Sequence, residues 1–271
     1  IEVNRSNSYS FQSTLDIDHI SAYKHKPLGI FFGGMLRDLL KGRWKKVAAR
    51  FWKKDPFDTY DEIVNKHREL ELDLKVFILC ASRSKFDKSL PPENKEFINK
   101  VQNLSDKYEI GIHPSYKSES NYEKIDNEIK LLESIVAKDI QSSRFHYLRI
   151  QWPLSYNTLL SLGIKADYSM GYPDAVGFRA GTSLPFYWYD LQKEEQTSLK
   201  IHPFQIMDVT MRKYQELNSE EAVQKASQII DTLKEVGGTF CLLWHNSSFF
   251  GLEGWTGWRE TYDQILRKAK A

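Results

Sequence analysis

The sequence predicts an α/β fold built on a parallel sheet or barrel. Two observations carry this. Apolar strand-like runs alternate with amphipathic helical runs along the whole chain. Polar residues then recur at the carboxyl ends of those strand runs, the edge where parallel α/β folds place their chemistry. The 271 residues, 41% of them apolar, are enough for one large core, and a single domain spanning 1–271 is expected.

The first strand spans 8–18 and ends in Thr14-Leu15-Asp16-Ile17-Asp18. Residues 74–80 (Leu-Lys-Val-Phe-Ile-Leu-Cys) form a second strand, apolar enough to be covered on both faces. Further strands are expected at 108–113, 146–150, 166–170, 199–207 and 239–245. Helical periodicity falls between them at 57–70, 92–106, 119–137, 153–162, 218–236 and 257–269. Asn218 followed by Glu220 and Glu221 reads as a helix cap with acidic first-turn residues, and Gly237-Gly238 reads as that helix's stop. Residues 29–54 break the alternation. Phe31, Phe32, Leu36, Leu40, Trp44 and Phe51 are interleaved there with Arg37, Lys41, Lys45, Arg50 and Lys53, a basic amphipathic helix inserted between strand and helix. Such a helix either packs on the barrel with its lysines in water or lies on a membrane surface.

Composition removes several classes. A net charge of +2 and a pI near 8.3 argue against a nucleic-acid binder. No run of 18 apolar residues is present to span a bilayer. Cys80 and Cys241 each sit inside an apolar run and read as reduced core residues. No secretory leader is visible, so the expected location is the cytoplasm or the inner face of the cell's inner membrane. An exported form stays open because the chain begins at Ile1. Aromatic content of 13% is compatible with a sugar-stacking groove.

Asp16 and Asp18 are the sharpest signal. Side chains two apart on a strand share a face, so two carboxylates are aimed together. Their repulsion calls for a cation or a shared proton. One as a metal ligand and the other as a base suits the pattern. His113, Arg149, Asp167 and His245 fall at the same edge.

At these residues the chain resembles the polysaccharide deacetylases, the NodB-homology group or carbohydrate esterase family four. The resemblance runs in order from Phe11 to Asn246 and implies a distorted (β/α)7-type barrel. It rests on Thr14-Leu15-Asp16-Ile17-Asp18, on His113-Pro114-Ser115-Tyr116-Lys117, loosely on Arg149 to Pro153, and on Leu243-Trp244-His245. It implies Asp16 as general base, Asp18 and His113 as metal ligands, and His245 as general acid. The family's second motif carries another histidine where this chain has Lys117. His146 is the candidate replacement ligand, with Ser115 as a further oxygen. Arg149 is expected to orient Asp16, and Asp167 to pair with an arginine or bind substrate. Arg179, Tyr116 and Trp244 are the other substrate-side candidates.

Segments such as Arg144 to Arg149, Asp167 to Tyr172 and Gly177 to Thr182 are similar to an uncharacterised bacterial branch of that family associated with surface-polysaccharide gene clusters. The implied reaction is removal of N-acetyl or O-acetyl groups from a sugar of a surface polysaccharide or its precursor. The implied cofactor is a divalent metal, zinc first, with cobalt, nickel or iron as alternatives. Loss of the motif histidine leaves a non-catalytic carbohydrate-binding protein as the alternative. A carbohydrate partner and a peripheral membrane contact through 29–54 are the expected interactions; oligomeric state is not readable.

Overall fold

A computed structural model describes residues 8–252 and 254–271; residues 1–7 and Glu253 of the expected 1–271 span lie outside the described residues. The strands are β1 Ser10–Ile17, β2 Leu74–Ile78, β3 Glu109–Ile112, β4 Ser142–Ser143, β5 Ala166–Asp167, β6 Phe186–Asp190, β7 Glu195–Ile201, β8 Ile206–Met207 and β9 Thr239–His245. The helices are α1 Leu28–Leu40, α2 Trp44–Ala49, α3 Tyr60–Glu69, α4 Lys95–Ser105, α5 Tyr122–Val136, α6 Leu154–Ser161, α7 Ser219–Val236 and α8 Trp258–Lys270.

The sheet order is β6-β7-β5-β4-β3-β2-β1-β9-β8. Neighbours are parallel except the β6–β7 hairpin. The run expected as one strand at 199–207 is bent at Pro203, which has no N–H to give a ladder. Its first half pairs with β5, and His202 N continues that ladder to the Asp167 carbonyl at 2.8 Å. Its second half pairs with β9, where Gln205 N reaches the Cys241 carbonyl at 3.2 Å. One bent run therefore touches both edges and curls the sheet into the (β/α)7-type barrel. The sequence pattern does not predict strand β6 or the first four residues of β7, which pair as an antiparallel hairpin; the rest of β7 falls in the expected 199–207 run.

Period-2 alternation sorts the strand residues into two layers. Leu15, Ile17, Val76, Ile78, Leu242 and Trp244 face outward into the main core under the helices. Phe77, Tyr168, Phe204, Met207, Cys241 and Leu243 fill the barrel interior. Both cysteines are buried and free. Helix α7 carries Ala222, Ala226, Ile230 and Leu233 as one buried stripe and opens with a capping box between Asn218 and Glu221. Gly111 on β3 has no room for a side chain, because an added Cβ would lie 2.6 Å from the Phe77 ring.

Residues 29–54 form two helices rather than one. Gly42, at φ 65°, breaks the run where a side chain would be strained. The buried Asp38 of α1 accepts a hydrogen bond from Arg50 Nη2 at 2.6 Å, which ties the end of α2 back onto α1.

Candidate metal and catalytic centre

The carboxyl ends of β1, β3, β4 and β9 open into a cleft of about 820 Å³. Register places Asp16 beside Phe77 on one side and His245 on the other. Asp18 follows the last residue of β1, and His113 follows the last residue of β3. His146 sits in a short turn after β4, with Tyr147 and Leu148 at positive φ.

Three imidazoles converge on Asp18. His113 donates from Nδ1 to the Arg144 carbonyl and holds Nε2 3.2 Å from Asp18 Oδ1. His146 donates from Nδ1 to Asp87 Oδ1 at 2.9 Å and holds Nε2 3.7 Å from the same oxygen. His245 donates from Nδ1 to Asp208 Oδ1 at 2.7 Å, with Nε2 3.9 Å from Asp18 Oδ2. Each ring is thus fixed in orientation through one nitrogen and presents the other to the cleft.

Asp18 Oδ1 is buried and has no hydrogen-bond partner. One ligand atom each from Asp18, His113 and His146 can be chosen so that all lie within 4.8 Å of one another. An orphaned carboxylate oxygen facing two Nε2 atoms is a donor set that could hold a divalent cation through three protein ligands, with room for water. The residues fit the metal that the resemblance implied. Lys117, which stands where a ligand was expected, is exposed and does not oppose it.

Beside this set lies a buried pair. Asp16 Oδ1 accepts from Arg144 Nη1 at 2.7 Å, and Asp16 Oδ2 is 3.8 Å from His113 Nε2. Arg144 is fully buried; its Nε donates to the Tyr168 carbonyl at 2.9 Å and its guanidinium lies 4.6 Å from the Phe77 ring centroid. The electrostatics follow. Burial would raise Asp18, but His146, His113 and His245 around it hold its carboxyl well below the usual range. Burial would lower His245, yet Asp208 outweighs it and lifts the imidazole to about 9, with Asp18 and Asp16 adding to the effect. His146 is likewise disfavoured as a cation by burial and raised to about 9 by Asp18 and Asp87.

Several expected residues lie elsewhere. Arg149 leaves the site: the positive-φ turn at 147–148 sends it outward, where it pairs with Glu119 and donates to the Tyr116 hydroxyl at 3.0 Å. Arg144 takes the place expected for it. Asp167 is fully buried on the outer face of β5, accepting from Ser143 Oγ at 2.8 Å and from Ser169 N and Oγ at 2.9 Å; it touches neither His245 nor the cleft. Trp244 alternates with His245, so it points into the helix layer against Trp258 and Tyr262. Tyr116 stacks on Phe86 at 3.8 Å outside the cleft, and Tyr147 lines the cleft instead. Arg179 lies over Trp152 and donates to the Gly171 carbonyl at 2.9 Å. Ser115 is engaged by Glu128 and Ser118 rather than by the centre. His19, next to Asp18 in the chain, also lines the cleft; burial lowers it to about 4.

Sequence reasoning missed Arg144, Asp208 and Asp87. Arg144 and Asp208 each follow a strand's last residue, so the edge rule pointed to them once the strand ends were set correctly. Asp87 comes from an irregular loop and carried no signal.

No protein-family model matches the sequence, and no curated protein does. Solved structures match its shape. A chain from Mycobacterium smegmatis described as a polysaccharide deacetylase aligns over 100% of this chain and 87% of its own, with a TM-score of 0.64 and 11% identity. Another so described, from Pseudomonas aeruginosa PAO1, aligns over 96% and 84%, with a TM-score of 0.60 and 14% identity. A GH57 branching enzyme from Thermococcus kodakaraensis aligns over 96% and 68%, with a TM-score of 0.52 and 9% identity. The chain has the polysaccharide deacetylase fold. Because that barrel shape extends to a branching enzyme, the chemistry must be argued from the site.

Proposed function

We propose that this chain is a metal-dependent carbohydrate deacetylase that removes acetyl groups from an amino sugar of a bacterial surface polysaccharide or its precursor. The observation that carries the reading is the buried, unpartnered Asp18 oxygen facing His113 Nε2 and His146 Nε2. These three side chains would hold the ion. A divalent cation there supplies Lewis acidity toward the acyl oxygen and acidifies a water.

The chain's own residues supply the rest. Asp16, fixed by Arg144 on one oxygen, keeps its other oxygen directed toward the ligand histidine and takes the proton of the attacking water. His245 must carry a proton at neutral pH to give it to the departing nitrogen, and Asp208 keeps it charged. Arg144, Asp87 and Asp208 hold the base, a ligand and the acid in place. The binding-only alternative drew on Lys117; the position of His146 beside Asp18 and His113 supports the catalytic reading over it.

The test is acetate release from an N-acetylglucosamine oligosaccharide by protein loaded with zinc or cobalt. Metal-dependent release, abolished in Asp16→Asn with metal still bound, is the expected result. Turnover that survives Asp16→Asn would remove the base assignment.

A further inference from the structure

The α1–α2 arm has one face on the cleft and another on solvent. Ile30, Phe31, Gly33, Gly34, Arg37 and Lys46 line the cleft. Leu28, Phe32, Leu36 and Leu40 recur every fourth residue, which puts them in one stripe along α1. They are 74, 53, 58 and 80% exposed. Trp44 and Phe51, at 67 and 68% exposure, extend the apolar surface through α2. A patch this concentrated on one element is not ordinary surface scatter.

Its surroundings select the occupant. Asp38 is the one acid between 28 and 54, and it is buried and held by Arg50. The flanking Lys41, Lys45 and Lys53 are exposed. An apolar stripe flanked by cations complements an anionic lipid surface rather than a neutral protein groove. Among the described residues no helix is long and apolar enough to cross a membrane, so the contact is with the surface.

The cleft behind the arm carries the same sign. Lys26, Arg83, Lys88 and Lys213 line it together with the arm's Arg37 and Lys46, whereas among the described residues the lining acids are Asp16, paired with Arg144, and Asp18, beside His113. Lys26 is crowded: burial, then Arg83 beside it, lower it to about 8. An anion in the cleft would relieve that crowding.

We propose that the α1–α2 arm docks on an anionic bilayer and that the acetylated sugar reaches the cleft on a lipid phosphate carrier lying in that bilayer. This rests on the deacetylase reading for its chemistry, but the docking does not.

Flotation with vesicles of phosphatidylglycerol and phosphatidylcholine tests the docking. The wild type should bind these vesicles, release at high salt and ignore pure phosphatidylcholine. Leu36→Gln with Leu40→Gln, both exposed and outside the cleft lining, should weaken binding by roughly a hundredfold. No binding, or equal binding by the double variant, would overturn the docking. Deacetylation of N-acetylglucosaminyl polyprenyl diphosphate in the same vesicles tests the carrier, against UDP-N-acetylglucosamine and a free oligosaccharide. The vesicle-borne sugar should have a kcat/KM at least about tenfold above both, and the double variant should lose that advantage while keeping its rate on the free oligosaccharide. A preference for the soluble nucleotide sugar would overturn the carrier. Vesicle binding with no hydrolysis of any of the three would overturn the carrier together with the deacetylase reading, and leave the docking standing.

Discussion

Arg144 holds Asp16, the proposed base, and Arg144→Met isolates its contribution. The side chain is fully buried, as is Asp16, and the two meet at 2.7 Å. Methionine removes the charge while keeping an unbranched chain against Phe77, leaving an unpaired buried carboxylate. Breaking one half of such a pair costs about 3–5 kcal/mol. For 271 residues the unfolding entropy converts this into a Tm lower by about 5–9 °C. The assay is thermal unfolding of metal-free protein, so that bound metal cannot mask the loss. Combining Arg144→Met with Asp16→Asn removes both charges, and the double variant should be more stable than the sum of the singles by about 1–3 kcal/mol. Turnover of metal-loaded Arg144→Met should fall by about 10²–10⁴, the usual worth of a positioned acid or base. Arg149→Met, made at the exposed arginine originally expected in this role, should change stability by no more than about 0.5 kcal/mol. Additive stabilities, or an Arg149 variant that loses activity while the Arg144 variant keeps it, would refute the reasoning.

Four further outcomes follow from the same geometry. Asp208→Asn removes the carboxylate that lifts His245 to about 9, so the imidazole should lose its proton at lower pH. The alkaline limb of the kcat/KM profile should move down, and an unmoved limb would separate His245 from the acid role. In metal-free protein His146 and His245 both sit at about 9, above the usual histidine value of ~6.5. Their stabilising contribution is full below ~6.5 and is lost as pH rises through 9, so the chemical-denaturation midpoint should fall across that window. The proton on His146 must leave for a metal to bind, so zinc affinity should climb over the same range in a competition titration. Gly111→Ala pushes a methyl into the Phe77 ring, which carries the Arg144 guanidinium on its face; it should cost about 1–3 kcal/mol in urea unfolding and reduce turnover.

The sequence made the outer frame legible because periodicity survives where an element is long. Strands β1 and β9 and helices α3, α4, α5, α7 and α8 lie within a few residues of where their patterns place them. The centre was half legible for the same reason. Asp16, Asp18, His113 and His245 sit at the ends of well-patterned strands, and their order along the chain survives in space. The errors cluster where strands shrink. Strand β4 is two residues long, too short to show alternation, and placing a strand at 146–150 brought in Arg149 while passing over Arg144. The apolar pattern at 199–207 carries no sign of the bend at Pro203 that sets Asp208 behind His245. Trp244 and Asp167 were misassigned although alternation was available: each neighbours an inward residue and therefore faces out. Asp87 reaches His146 through a loop whose path no local pattern encodes. The break at Gly42 illustrates the opposite limit, since one residue at positive φ overrode an amphipathic pattern that continued through it.

The central claim is that Asp18, His113 and His146 grip one divalent ion. Anomalous diffraction at the zinc edge, from crystals of zinc-loaded protein, addresses it without reference to any substrate. A single peak is predicted about 2.0–2.2 Å from one Asp18 carboxylate oxygen and from Nε2 of both histidines. No peak between those three side chains at saturating zinc, or a peak ligated through other residues, would contradict the account.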